Sequence, residues 1–182
     1  PKRFAIYVGD ITANKNVWRL VRVCKDENIP VVLVGKALAQ THYDSSHPWN
    51  KELVQVHALI RDTTHIQTLG FVPTEDVVAL YNLATVFVFP SFYEGFGLPV
   101  LEAMQSGCPV ITTKGGSLVE VAGDAAYYVD PQSIESIRDG IVKMMENNKL
   151  RDDYRKKGIA QAAKFSWKRT AQETLNIYEK IY

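Results

Sequence analysis

Two carboxylates, Glu94 and Glu102, stand eight positions apart and bracket a glycine turn in Ser91-Phe92-Tyr93-Glu94-Gly95-Phe96-Gly97-Leu98-Pro99-Val100-Leu101-Glu102. Carboxylates accept hydrogen bonds, and hydroxyl groups are natural donors to them. Gly95 and Gly97 let a backbone approach a ligand without a Cβ in the way. Apolar spacing over residues 98–106 predicts a helix, with Pro99 in the first turn, where proline is tolerated. A helix that starts there presents free N–H groups to an anion. Hydroxyls and a phosphate together describe a nucleotide-linked sugar. Lys15, in Gly9-Asp10-Ile11-Thr12-Ala13-Asn14-Lys15-Asn16, offers a cation that could meet the same diphosphate as a point charge. An ordinary solvated lysine at a helix start is the alternative.

These residues need a frame to bring them together. Short β-branched and aromatic runs predict strands over residues 4–9, 30–35, 65–69, 85–89, 109–113 and 126–129. Between and after them, helical spacing predicts helices over 15–27, 50–61, 74–84, 98–106, 118–121, 132–146, 148–164 and 166–181, the third capped by Thr74. Residues 36–49 read as a polar loop. Strands that alternate with helices predict a parallel, doubly wound, Rossmann-like α/β sheet of about six strands. The continuous apolar run from Pro30 to Gly35 fits a strand covered on both faces. Ligands of such sheets sit beyond the carboxyl ends of the strands. Gly9, Gly35, Gly70 and Pro90-Ser91 all fall at those ends, so four loops converge on one rim.

Bulk properties narrow the classes. A chain of 182 residues with 46% hydrophobic content can bury a core of its own and reads as one domain over 1–182. A net charge of +1 excludes a strongly basic nucleic-acid footprint. No apolar run approaches the length of a membrane span. Cys24 and Cys108 lack metal-like spacing and read as reduced core residues, which fits a cytoplasmic setting. The chain opens without a Met almost directly in a strand, as a piece of a longer protein would. His42, Asp44 and His47 share a polar loop and read as solvated rather than as a metal cluster, so no metal site is expected. Trp167 and Tyr178 fall on one stripe of the last helix and read as packing residues.

Glu94-Gly-Phe-Gly-Leu-Pro-Val-Leu-Glu102 resembles the Glu-x7-Glu signature of the family 4 retaining glycosyltransferases, whose fold is called GT-B. The likeness continues in order along the chain: Phe71-Val72-Pro73-Thr74-Glu75-Asp76 with Leu80-Tyr81, then Gly107-Cys108-Pro109-Val110-Ile111, then Ser117-Leu118-Val119-Glu120 through Ala126, and finally Phe165-Ser166-Trp167. The resemblance implies the C-terminal, donor-binding half of such an enzyme, with the N-terminal, acceptor-binding half outside this chain. It implies a retaining transfer of a hexosyl group from a nucleotide diphosphate sugar to an acceptor hydroxyl, with no cofactor and no required metal. Glu94 would reach the transferred sugar and Glu102 the ribose hydroxyls. Lys15 would meet the diphosphate, and the amides of Gly95, Phe96, Gly97 and Leu98 sugar and phosphate. Gly9, Gly35, Phe71, Val72 and Ser91 would complete the donor site, with Phe71 and Val72 on the nucleobase side. Glu94 and Lys15 are the expected catalytic residues.

The segment Tyr93-Glu94-Gly95-Phe96-Gly97 is most similar to mannosyltransferases, so GDP-mannose is the first donor, with UDP-glucose, UDP-N-acetylglucosamine or a deoxyhexose donor open. The implied partners are the nucleotide sugar, the N-terminal half of the same protein, and an acceptor glycan or lipid-linked sugar, in the cytoplasm or at the inner face of a membrane. One departure stands out: many relatives have Arg-Lys where this chain has Asn14-Lys15, so one phosphate-binding guanidinium is absent or replaced by Lys36 or another residue. Two further readings stay open. One is another GT-B enzyme, such as a nucleotide-sugar epimerase or a phosphorylase, the latter lacking an assignable lysine for pyridoxal phosphate. The other is a non-catalytic nucleotide-binding module.

Overall fold

The computed structural model describes residues 3–40 and 42–181; Thr41, inside the expected loop, and the chain-end residues Pro1, Lys2 and Tyr182 lie outside that description. Six strands, β1 (Ala5–Val8), β2 (Val31–Val34), β3 (Ile66–Leu69), β4 (Val86–Phe89), β5 (Val110–Thr112) and β6 (Ala126–Tyr128), form one sheet in the order β3-β2-β1-β4-β5-β6. Every pairing is parallel. β2 and β4 are buried along their whole length, as their unbroken apolar sequences require. β3 is an edge strand and exposes Gln67 and Thr68.

Among the described residues eight helices accompany the sheet: α1 (Val17–Asp26), α2 (Lys51–Ile60), α3 (Thr74–Leu83), α4 (Leu98–Gln105), α5 (Leu118–Ala122), α6 (Ile134–Glu146), α7 (Asn148–Ala162) and α8 (Trp167–Ile181). α1 packs between α2 and α6, while α4 meets α3, α5 and α7, so the helices form two layers with the sheet between them. The sheet centre is aromatic: Phe89 stacks on Tyr7 at 6.0 Å and on Phe87 at 5.6 Å. Burying each such side chain contributes about 1.5–3 kcal/mol.

Several local expectations are corrected by the chain's own hydrogen bonding. α1 starts at Val17 rather than at residue 15, because Ala13–Lys15 closes a separate 3-10 turn and Asn16 takes left-handed angles (φ 57, ψ 33). The free N–H of Trp18 at that start is capped from α2, where buried Glu52 accepts it at 2.9 Å. Thr74 is the first residue of α3, not its cap; Pro73 holds that place. Ser133 and Asn147 cap α6 and α7 by accepting the amides of Ser136 and Leu150. The 36–49 stretch is less loop-like than expected, since Lys36–Ala39 and Pro48–Asn50 are 3-10 turns, Leu38 is buried, and Tyr43 packs on the core.

The largest departure is α8. Its stripe does not pack: Trp167 is 76% exposed and Tyr178 59%. No residue of α8 is buried. Among the described residues no helix is long and apolar enough to cross a membrane.

Candidate donor site

Strand order reverses between β1 and β4, so the loops leaving these two neighbours diverge from a common crevice. The β1 loop carries Lys15 and the β4 loop carries Glu94, 79 positions apart in sequence. They meet as an ion pair. Lys15 Nζ lies 2.7 and 2.9 Å from the two carboxylate oxygens, with side-chain exposures of 22% and 11%. The same ammonium stands 5.1 Å from the centroid of the Phe89 ring beneath it.

Neighbouring residues fix this meeting. Asn14 Nδ2 donates to the Tyr93 carbonyl at 2.6 Å, and the Asn14 carbonyl accepts the Phe92 amide at 2.9 Å. Asn16 is fully buried, donating to the carbonyls of Pro90 (3.0 Å) and Pro131 (2.8 Å) and accepting from Arg19 (2.7 Å). It ties the ends of β1, β4 and β6 together. Asn16 carries no catalytic signature in the sequence; the signal that marks it is an Asn directly after a turn, a residue type that tolerates left-handed angles.

The turn itself rests on the loop after β5. Glu94 O accepts from both the amide and the hydroxyl of Ser117, and Phe96 O accepts from the same hydroxyl. Gly97 precedes α4 with φ 101, and a Cβ there would stand 2.8 Å from Leu118. Glycine at this position is required by the chain itself. Gly95 differs: a Cβ would meet nothing within 4 Å, and its φ is not left-handed. Among the described residues nothing requires a glycine there. The amides of Gly95, Phe96, Gly97 and Leu98 donate to no acceptor among the described residues, so they are free to face an anion at the start of α4.

Glu102 lies one turn into α4, between two grooves. One, of about 350 Å³, runs past Phe96, Leu98, Phe165 and Trp167; the other, of about 700 Å³, lies between α3, α4 and α7 and is bounded by Thr74, Tyr81 and Arg155. Desolvation raises the Glu102 carboxyl above its ordinary value. In the larger groove the Tyr81 hydroxyl is buried without a hydrogen-bond partner among the described residues. Phe96 meets Phe165 edge to face at 6.2 Å, which joins the glycine turn to the α7–α8 junction. On the β3 loop, Phe71 is 73% exposed with the Lys36 ammonium 5.4 Å from its ring centroid, and Val72 is partly buried against the core.

Three expected contacts change character. Ser91 is fully buried, its hydroxyl sealed and its carbonyl accepting from Thr113 at 2.5 Å, so it supports the turn from below and is withdrawn from the ligand surface. Gly35 is explained by packing, because a Cβ would run into the carbonyl oxygen of Gly9. Gly9 likewise fits over Tyr7, whose hydroxyl would be 2.9 Å from a Cβ. Both glycines shape the rim from within. Away from it, Asp44 accepts from Ser46 and His47 from the Trp49 amide, turn-closing bonds both. Cys24 and Cys108 are buried; burial pushes the Cys108 thiol up to about 12 and the Cys24 thiol higher still.

Comparison with known proteins places this geometry in a family. Residues 1–161 match the family model described as Glycosyl transferases group 1. The chain is 35% identical over 186 residues to the O-antigen chain mannosyltransferase B of Escherichia coli, covering 98% of this chain and 46% of that protein. It therefore spans less than half the length of that relative. Its fold superposes on the sucrose-phosphate synthase of Thermosynechococcus elongatus with a TM-score of 0.84 at 23% identity, over 99% of this chain and 45% of the other. It also superposes on the C-terminal domain of a glycosyl transferase group 1 protein from Francisella tularensis, with a TM-score of 0.70 at 26% identity over 88% and 85% of the two chains. The chain belongs to the group 1 glycosyl transferases and has the fold of the C-terminal half of a GT-B enzyme.

Proposed function

We propose that this chain binds the nucleotide diphosphate sugar donor of a retaining hexosyl transfer, with a mannosyl donor favoured. The observation that carries the reading is Gly95. A glycine that no neighbour requires faces open space beside four free amides, between Glu94 and the helix that carries Glu102. A diphosphate fits that space, with the sugar toward Glu94, the ribose toward Glu102 and the nucleobase toward Phe71 and Val72. The similarity to a mannosyltransferase, 35% identical over nearly the whole chain, supports GDP-mannose over the UDP-sugars.

Bond cleavage between the sugar and the diphosphate leaves charge on the departing oxygen. The α4 amides are held in place to receive it, the preorganised electrostatic strategy that lowers such barriers without reorganisation. No metal or cofactor enters this scheme. The acceptor, a glycan or lipid-linked sugar, is positioned by an N-terminal half outside this chain, at the cytoplasmic side. Positioning is a large part of the rate, so this chain binds donor yet transfers little by itself. Asn14 supports an intact site over a degenerate module, because it ties the β1 and β4 loops together through Tyr93 and Phe92.

The test is a thermal-shift screen of GDP-mannose, UDP-glucose and UDP-N-acetylglucosamine, followed by titration calorimetry. Stabilisation by GDP-mannose above the UDP-sugars supports the proposal. Silence toward every nucleotide sugar refutes it.

A further inference from the structure

We infer that Glu52, a residue of α2, is a positioning residue for the donor site: it caps α1, so that the side chain of Asn16 is left to hold the Lys15 loop. This rests on the donor-binding reading, with Lys15 meeting the diphosphate. Among the described residues Glu52 is the one charged side chain that is buried, at 4% exposure. Burying a carboxylate is costly unless donors meet it. Here the donor is the Trp18 amide, 2.9 Å from the carboxylate and 34 positions away in sequence. Desolvation raises the Glu52 carboxyl, while the amides of Trp18 and Val17 and the Arg19 guanidinium oppose the rise.

A helix start is ordinarily capped by its own residue, and Asn is among the best at it. Asn16 stands in that position before α1 and makes no such bond. Its side chain is committed elsewhere: Nδ2 donates to the carbonyls of Pro90 and Pro131, and Oδ1 accepts from Arg19. Those bonds hold the residue after Lys15 against the ends of β4 and β6, in left-handed angles. The usual cap bond goes with an extended backbone, which Asn16 does not have. Glu52 therefore supplies, from a second helix, the acceptor that Asn16 withholds. Without Glu52 the Trp18 amide loses its partner, and the nearest relief is for Asn16 to return to extended angles and cap α1 itself. The helix then survives. The carbonyls of Pro90 and Pro131 are released, however, and Lys15, one residue earlier, shifts with Asn16.

Binding to the full chain reads this, with GDP and UDP measured by calorimetry and guanosine and uridine by ligand-observed NMR. Glu52→Leu, close in volume but without an acceptor, should fold and bind the better diphosphate about tenfold more weakly, the scale of one hydrogen bond to a charged group. The matching nucleoside should bind within about twofold of native, because distant parts of a site act independently. Glu52→Gln, whose amide oxygen still accepts from Trp18, should stay within about threefold of native for both ligands. A Glu52→Leu chain that melts lower yet binds the diphosphate as the native chain does would make Glu52 a purely structural cap and overturn the inference. So would an equal loss for nucleoside and diphosphate, or a Glu52→Gln chain as weak as Glu52→Leu. Where Glu52→Leu does not fold, Glu52→Asp decides: it keeps the charge but withdraws it by a methylene, and should weaken the diphosphate about threefold. Native affinity in Glu52→Asp would then overturn the inference. A native chain that binds neither GDP nor UDP sinks the donor-binding reading and this inference together. Native binding that these variants leave unmoved sinks this inference alone.

Discussion

At the Lys15 end of the rim, Lys15, Glu94, Asn14 and Asn16 all have partners within the chain, and Phe89 closes the floor beneath them. At the Glu102 end, the carboxylate has no hydrogen-bond partner among the described residues, the Tyr81 hydroxyl beside the groove has none either, and Phe71 is 73% exposed. One end is finished before any ligand arrives, and the other is open. On the proposed donor-binding reading the finished end is where reacting atoms would have to be held within a fraction of an ångström, which suits an end whose ordering is completed during folding. On the same reading the open end would have only to grip a nucleoside, and its polar groups would be satisfied by that ligand.

Breaking the floor of the finished end should have the largest effect. Phe89→Ala should lower unfolding stability by about 3–5 kcal/mol, and Lys15 should lose its support with it. Urea denaturation measures this, and a loss below about 1 kcal/mol would mean the floor is adaptable.

Breaking the open end should leave the fold alone and weaken the ligand. Glu102→Ala should cost about 1.5–3 kcal/mol of nucleotide affinity with an unchanged melting curve, as for hydrogen bonds to a charged group. Equal affinity in calorimetry would reduce Glu102 to a surface residue of α4.

The glycine turn lies between the two ends and sharpens the contrast within three residues. Gly97→Ala should destabilise the fold by about 1–3 kcal/mol, since its left-handed backbone and the contact with Leu118 both resist a side chain. Gly95→Ala should stay within about 0.5 kcal/mol of native stability, as for a change away from any neighbour. It should nonetheless weaken nucleotide sugar binding about tenfold, or ~1.4 kcal/mol. If Gly95→Ala binds normally, the open space is not where the donor lies.

The smallest effect expected is on pH dependence. Desolvation raises the folded Glu102 carboxyl, so it takes up a proton at higher pH than an ordinary glutamate. Nucleotide affinity should be full above that raised value and fall as pH drops through it, and Glu102→Gln should flatten the fall. For stability the sign is opposite: charging a desolvated carboxyl costs the folded state, so its contribution declines as pH rises from the unfolded to the folded value. Affinity that is level across the acid range in the native chain would mean the charged form of Glu102 is not used.

Much of this was legible in the sequence because it is local. The six strands, the helix at Leu98 and the two glutamates follow from periodicity and from the glycine and proline between them. The Lys15–Glu94 contact was not legible, since two loops 79 positions apart meet only through the strand order, which no spacing records. Ser91 looked like a rim residue by position, but the chain dips below the rim there so that its carbonyl can take the Thr113 hydroxyl. The start of α1 was misplaced by two residues because Asn16 adopts left-handed angles, a choice stabilised by buried carbonyls distant in sequence. In α8 the amphipathic pattern specifies a helix, but periodicity does not say what covers its apolar stripe, and none of the described residues buries it.

The two buried thiols give the molecule a clock. Cys24 is carried by α1 on one layer and Cys108 leads into β5 on the other side of the sheet centre, with exposures of 0% and 2%. A thiol must be both reachable and ionised to react, and both are denied here by burial. Alkylation in native buffer therefore proceeds only during openings, and the two rates time the two flanks of the sheet separately. A nucleotide bound across the β1–β4 crevice would slow both rates together, which makes ordinary thiol chemistry a gauge of ligand occupancy that needs no acceptor and no turnover.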